Sequence, residues 1–272
     1  MKKRDVITLI VDKLRKHKEV LKAEFHDTEN ITKTKHFILD DVLPKELVMS
    51  VYNSLPRKSD YHFRDTFREK KYTFAKLDKL DNTLPEILTD AFQDQMVIDE
   101  VKEITDIHNL EGDPSLYAGG VSRMDSSHFL NPHIDNSHDA NRARYRRLNI
   151  LFYVTPNIDE NDGGNFELWD DRVKRSLKIP SLFNRLIVME TTKNSWHSVD
   201  PVKSNIKRCC VSNYYFSETS YTGKNYYHVT SFLGRPNQII RRAYGRIDNF
   251  LRQNIASIMG FSRGKKLIRT RN

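Results

Sequence analysis

The segment Asn131-Pro132-His133-Ile134-Asp135 places a histidine and a carboxylate two positions apart. In an extended segment or its adjoining turn, side chains at i and i+2 share a face, so His133 and Asp135 can reach one metal ion. His197, in Ser195-Trp196-His197-Ser198-Val199, lies 64 positions beyond His133 at the start of another run with strand character. Two imidazoles and one carboxylate would hold a divalent ion and leave three of its positions open to exogenous ligands. A His-x-Asp tripeptide alone carries little information, because such pairs are more often surface hydrogen-bonding partners. His128 and His138 flank the motif as alternative imidazoles, but neither has a carboxylate two residues later.

These side chains need a rigid support, and the chain has the material for one. Its 272 residues are 38% hydrophobic and 10% aromatic, which excludes a disordered chain and suits one substantial domain with extensions. No apolar run approaches the ~18 residues of a membrane-spanning helix, and Asp12 interrupts the short apolar stretch after the basic start, which argues against a secretory leader. The adjacent Cys209 and Cys210 should point to opposite faces of a strand. They give no disulfide framework, and a reducing cytoplasm is the expected home.

Between Ser115 and Ser217, β-branched and aromatic runs (SLYAGGVSRM, RRLNILFYV, GNFELWD, NRLIVME, KRCCVSNYYFS) alternate with Asn, Asp, Gly and Pro. That texture predicts an antiparallel jelly roll. Ahead of it, residues 5–25 have helical periodicity, His36–Leu55 reads as a short strand and a helix with Pro44 in its first turn, and Asn82–Leu110 reads as helical. Residues 57–79 are charged and aromatic without a clear period. The expected architecture is α+β: a jelly-roll core with N-terminal helices packed on it and a C-terminal amphipathic helix. The expected divisions are a basic N-terminal helix in 1–35, a catalytic domain over 36–230 with its core at about 115–218, and a helical tail over 231–272.

The order of the devices within about Leu116–Phe216 resembles the Fe(II)/2-oxoglutarate-dependent dioxygenases, in particular their prolyl 4-hydroxylase-like branch. That pattern has His-x-Asp, a Tyr-bearing strand with a Gly-Gly turn, a distal His and a basic residue some ten positions on. Here these are His133 and Asp135, Phe152-Tyr153-Val154 with Gly163-Gly164, His197, and Arg208 eleven residues later. The resemblance implies a double-stranded β-helix in which His133, Asp135 and His197 hold Fe(II). It also implies that Arg208 pairs with the distal carboxylate of 2-oxoglutarate while Tyr153 donates to the same group. An arginine suits a planar carboxylate because its guanidinium can bond both oxygens. The implied reaction consumes O2 and 2-oxoglutarate, releases succinate and CO2, and hydroxylates an unactivated C–H of a protein prolyl side chain, a small molecule or a glycan.

The chain departs from the family where a cosubstrate-binding Tyr usually precedes His-x-Asp: Arg123 stands there, as a candidate for the cosubstrate or an anionic substrate. Asp135 disfavours a halogenase, and Tyr214, six residues after Arg208, replaces the second Arg of nucleic-acid demethylases, so base repair is disfavoured. Asn149, Glu167 and Trp169 are candidate substrate contacts if they face the barrel interior; ordinary structural contacts are the simpler expectation.

The net charge of +9 is a property of the tail. Residues 231–272 hold ten Lys and Arg against one acid, Asp248, so 1–230 sum to zero. Ile240, Tyr244, Ile247, Leu251, Ile255 and Ile258 recur there at steps of three or four among arginines. Such a helix can lie on an anionic membrane, making the protein peripheral to it, but burial of its apolar face against the domain or a second subunit is the favoured expectation. A rival class is a non-catalytic jelly-roll binding protein that this tail recruits to membrane or nucleic acid.

Overall fold

The computed structural model describes residues 2–259 apart from 28, 81 and 114; the basic end of the tail lies outside the described residues. In chain order the elements are α1 (Lys3–Phe25), β1 (His36–Leu39), α2 (Lys45–Asn53), β2 (His62–Asp65), β3 (Glu69–Phe74), α3 (Leu84–Phe92), α4 (Gln95–Thr105), β4 (Glu111–Gly112), β5 (Gly120–Met124) and β6 (Phe129–Ile134). There follow β7 (Tyr145–Tyr153), β8 (Phe166–Trp169), β9 (Ser176–Ile179), β10 (Arg185–Glu190), β11 (His197–Val199), β12 (Arg208–Ser217), β13 (Ser231–Phe232) and α5 (Ile239–Met259).

All strand pairs are antiparallel, and one curled sheet runs β1-β10-β7-β12-β5-β3-β6-β11-β8-β9, with β2, β4 and β13 attached at its sides. Strict alternation along β12 decides what lies on each face. Cys209, Val211 and Tyr215 join the core under the helices, whereas Arg208, Cys210, Ser212 and Tyr214 line the interior of the curl. Both cysteines are free and buried, one on each face.

Helix α1 buries Val6, Ile7, Ile10, Val11, Leu14, Leu21 and Phe25 in the same core as Phe92, Val101, Leu148, Phe152 and Val188. It is therefore continuous with the core of the sheet. Its solvent side pairs with α4 through Arg15–Glu100 and Lys18–Glu103, exposed contacts worth little stability individually that fix how the helices lie. The Asn82–Leu110 region contains two helices, because Asp94 caps a new one by accepting from the Met96 amide.

Two regions differ from their sequence reading. Residues 62–74 form the β2–β3 hairpin, where Glu69 and Lys71 point into the polar interior and erase the apolar alternation of a half-buried strand. Helix α5 forms at the expected place but is turned inside out. Its polar positions face the body, while Ile240, Ile247 and Phe250 are 86%, 63% and 69% exposed. Among the described residues the expected burial of that apolar face does not occur, although the Tyr244 ring meets Phe67 edge-on at 4.5 Å.

Candidate active site

His133, at the end of β6, and His197, which opens β11, face each other in the sheet register. Asp135, two residues past His133, completes the group: one ligand atom from each lies within 4.8 Å of the others, and all three residues are buried. The two imidazoles are oriented by their own chain. His133 Nδ1 lies 3.1 Å from the Asn131 carbonyl and His197 Nδ1 lies 2.9 Å from the Ser195 carbonyl. Each Nδ1–H therefore donates to a carbonyl, which leaves each Nε2 with a lone pair turned toward Asp135.

The Nε2 atoms stand 3.7 and 3.6 Å from the carboxylate oxygens, too far for hydrogen bonds, and Asp135 Oδ2 has no partner. Burial, followed by the neighbouring His197, pushes His133 down to about 3. Burial alone would raise the Asp135 carboxyl, but Arg146 and the two histidines outweigh it and hold it below the usual carboxylate range. Two imidazoles tied at Nδ1 to backbone carbonyls and an ionised carboxylate, with an orphaned oxygen between them, fit a divalent iron. His128 stacks in an aromatic group with Phe63 and Tyr72, and His138 pairs with Ser137; neither joins this cluster.

Past the triad the cavity, of about 540 Å³, reaches Arg208 and Tyr153. Arg208 is buried, and no carboxylate among the described residues stands within ion-pair distance of it. Its Nε donates to the Gly164 carbonyl at 2.8 Å and Nη2 to Ser181 Oγ at 3.3 Å, while Nη1 has only the Met124 sulfur at 3.7 Å. The Tyr153 ring lies under the guanidinium, 4.9 Å away, and its buried hydroxyl is unpartnered. A buried cation without a counter-ion beside an unused hydroxyl is a receptor for a carboxylate, and 2-oxoglutarate fits it. The Gly163-Gly164 turn makes the approach possible: both have positive φ, and a Cβ on Gly164 would stand 3.2 Å from Arg208 Cδ.

Arg123 is not part of this receptor. It points to the opposite side of β5 and forms a two-pronged pair with Asp125, Nε to Oδ1 at 2.7 Å and Nη2 to Oδ2 at 3.2 Å. Met124 and Ser122, its neighbours, face the cavity instead. Glu167 and Trp169 also face away: Ser198 Oγ receives the Trp169 indole and donates to Glu167, which pairs with Arg235 at 2.7 Å. Asn149 does line the cavity, with its Oδ1 unpartnered.

Several lining residues were not among the sequence candidates. Arg146 is 1% exposed, stacks on Tyr214 at 3.9 Å, approaches Asp135 at 3.5 Å, and leaves Nε and Nη2 without partners. The alternation of β7 from Tyr153, Leu151 and Asn149 would turn Arg147 inward. A bulge between the Tyr215–Leu148 and Phe216–Arg146 pairs inverts this, sending Arg147 to Glu190 and Arg146 into the cavity. Glu69, held down to about 2 because Lys71 and Arg64 outweigh its burial, forms another wall. Phe232 on β13 stacks on His133, 5.2 Å between centroids at 15°.

This fold and donor set define an iron- and 2-oxoglutarate-dependent oxygenase, and the cofactors are Fe(II), 2-oxoglutarate and O2. Residues 119–216 match the family model described as the 2OG-Fe(II) oxygenase superfamily. Solved structures with the same fold include a prolyl hydroxylase from Trichoplax adhaerens in complex with a hypoxia inducible factor oxygen degradation domain peptide fragment. It is 17% identical, with a TM-score of 0.53 over 75% of this chain and 92% of that one. A Pseudomonas putida prolyl-4-hydroxylase is 14% identical, with a TM-score of 0.53 over 74% and 100% of the two chains. Prolyl 4-hydroxylases from Phytophthora capsici are 15% identical, with a TM-score of 0.53 over 93% and 78%. No curated protein matches the chain.

Proposed function

We propose that the protein hydroxylates an aliphatic C–H of a prolyl residue in a peptide, with His133, Asp135 and His197 as iron ligands and Arg208 and Tyr153 as partners of the distal carboxylate of 2-oxoglutarate. The observation that carries the substrate side is Arg146. Two of its nitrogens are buried, unpartnered and next to the iron-ligand candidate Asp135, where a substrate carbonyl would satisfy them. The fold shared with prolyl hydroxylases, one of them in complex with a peptide fragment, supports the same reading.

Iron with 2-oxoglutarate and O2 bound supplies the oxidation, converting 2-oxoglutarate to succinate and CO2 as the substrate is hydroxylated. The chain's own residues hold and orient. The Asn131 and Ser195 carbonyls fix both imidazole rings, and Arg146 keeps Asp135 ionised. Tyr153, Phe166 and Leu168 pack around the cosubstrate end in a buried apolar cluster that excludes water.

The test pairs two readouts. Anaerobic Fe(II) and 2-oxoglutarate should give a visible charge-transfer band with the metal-free protein, absent in His133→Ala. Proline-containing peptides should then gain one oxygen by mass spectrometry, and Arg146→Lys should raise the peptide KM well before it alters the 2-oxoglutarate titration. A band without any peptide product, but with succinate release on a small hydroxylated or glycan-derived substrate, would replace the peptide by that class. No band in folded protein would remove the cofactor assignments.

A further inference from the structure

Helix α5 is fastened to the body by its polar side. Asp248 meets Arg68 at 2.5 Å, Asn249 exchanges two hydrogen bonds with the Phe232 backbone, and Gln253 does the same with Val229. Arg242 donates to the Val173 and Gly234 carbonyls and Arg252 to that of Thr230. Gly245 lies between them, where a Cβ would stand 2.8 Å from the Phe232 carbonyl oxygen. Positions 242, 245, 249 and 252 recur at steps of three and four, so they occupy one side of the helix.

The other side carries Ile239, Ile240, Tyr244, Ile247, Phe250 and Leu251, each more than half exposed. From Ile239 to Leu251 this makes an apolar strip roughly 20 Å long. Such a strip is the signature of a surface that something covers. Charge decides between occupants. Residues 231–272 hold ten basic side chains and one acid. That acid, Asp248, is turned to the body and engaged by Arg68 and Arg252. A second copy would bring like charges to like, with no carboxylate to receive Arg246 at the edge of the strip. The strip is also wider than a coiled-coil seam: Ile240, Tyr244, Ile247 and Leu251 form the seam, and Ile239 and Phe250 lie outside it.

We infer that α5 docks the protein on an anionic lipid surface, its apolar strip entering the interface and Arg246 at its edge meeting the headgroups. The same helix walls the catalytic cavity with Arg252 on its opposite side, so docking would fix where the cavity sits relative to the bilayer. The inference is independent of the catalytic reading, because vesicle binding needs neither iron nor substrate.

Flotation of the full chain with phosphatidylcholine vesicles, with and without about one third phosphatidylglycerol, tests it. Binding is expected to the anionic vesicles only, reduced roughly tenfold or more by the triple variant Ile240→Gln, Ile247→Gln, Phe250→Gln, and weakened by Arg246→Gln and by ~0.5 M salt. A Phe250→Trp variant, which keeps the strip apolar, should show blue-shifted emission on the anionic vesicles above the background of Trp169 and Trp196. No binding by the native chain, equal binding to neutral vesicles, or no shift with the tryptophan variant would overturn the inference. Concentration-dependent dimers that the triple variant abolishes, without vesicle binding, would assign the strip to a second copy instead.

Discussion

Replacing Arg208 by lysine isolates what its fork contributes to binding 2-oxoglutarate. In the structure Nε and one Nη2 hydrogen are committed to the Gly164 carbonyl and Ser181, and Nη1 has only a thioether for company. The uncommitted N–H groups are those that would meet a carboxylate. Lysine keeps the charge and one directed hydrogen bond but loses the second, and a hydrogen bond to a charged group is worth about 1.5–3 kcal/mol. The expected loss in 2-oxoglutarate affinity is therefore roughly 10- to 200-fold. Anaerobic titration of the charge-transfer band measures it directly, with Fe(II) affinity as the internal control because the three ligand candidates are untouched. At saturating 2-oxoglutarate most of the rate should return, marking a binding defect. If Arg208→Lys titrates within twofold of the native protein, the carboxylate is held elsewhere and the receptor reading fails.

Two further outcomes follow from burial. Phe152, fully buried against Phe92 on the helix side of the sheet, points away from the cavity, so Phe152→Ala should cost about 3–5 kcal/mol and lower Tm by roughly 10 °C. Its 2-oxoglutarate affinity should be unchanged at a temperature where it is folded, and a large shift there would show that the two faces of the sheet are coupled. Burial depresses His228 to about 4 and, with His197, His133 to about 3, so in metal-free protein both are neutral when folded and protonated when unfolded as pH falls below about 6.5. The unfolded state binds more protons in that window, so stability rises with pH by about 1.4 kcal/mol per unit for each histidine. The urea midpoint should fall between about pH 6 and pH 5, and His228→Gln should remove roughly half of this histidine dependence. An identical slope in the variant would show that the half-buried His228 is not held neutral in the folded protein.

The jelly roll was legible because its strands are short β-branched and aromatic runs broken by Asn, Asp, Gly and Pro, and the helices because their apolar positions recur at three and four. The triad was legible for a local reason: His133 and Asp135 share a face two residues apart, and His197 opens a strand whose next inward residue is Val199. Where a local rule fails, so does the reading. Arg146 was hidden by the β7 bulge, which reverses the parity counted back from Tyr153. Arg123 was misjudged by its place in the line, since only the pleat reveals that Met124 takes the inward position. The β2–β3 hairpin was invisible because a strand facing a polar cavity has no apolar period. For α5 the period correctly located the helix, but it is silent about which side meets the body; Gly245 and the side-chain amides of Asn249 and Gln253 decided that.

The segment that matches the superfamily ends at residue 216, yet the ring resting on His133 belongs to Phe232 and the cavity also takes Thr230 and Arg252. The recognisable signature is thus shorter than the smallest piece of chain that encloses the chemistry. Cutting at its boundary would uncover the His133 ring and strip a backbone partner from the end of β6. It also means that the triad with Arg208 and part of the cavity wall lie on separate stretches of sequence. Part of the cavity wall is therefore set by residues that the signature does not cover.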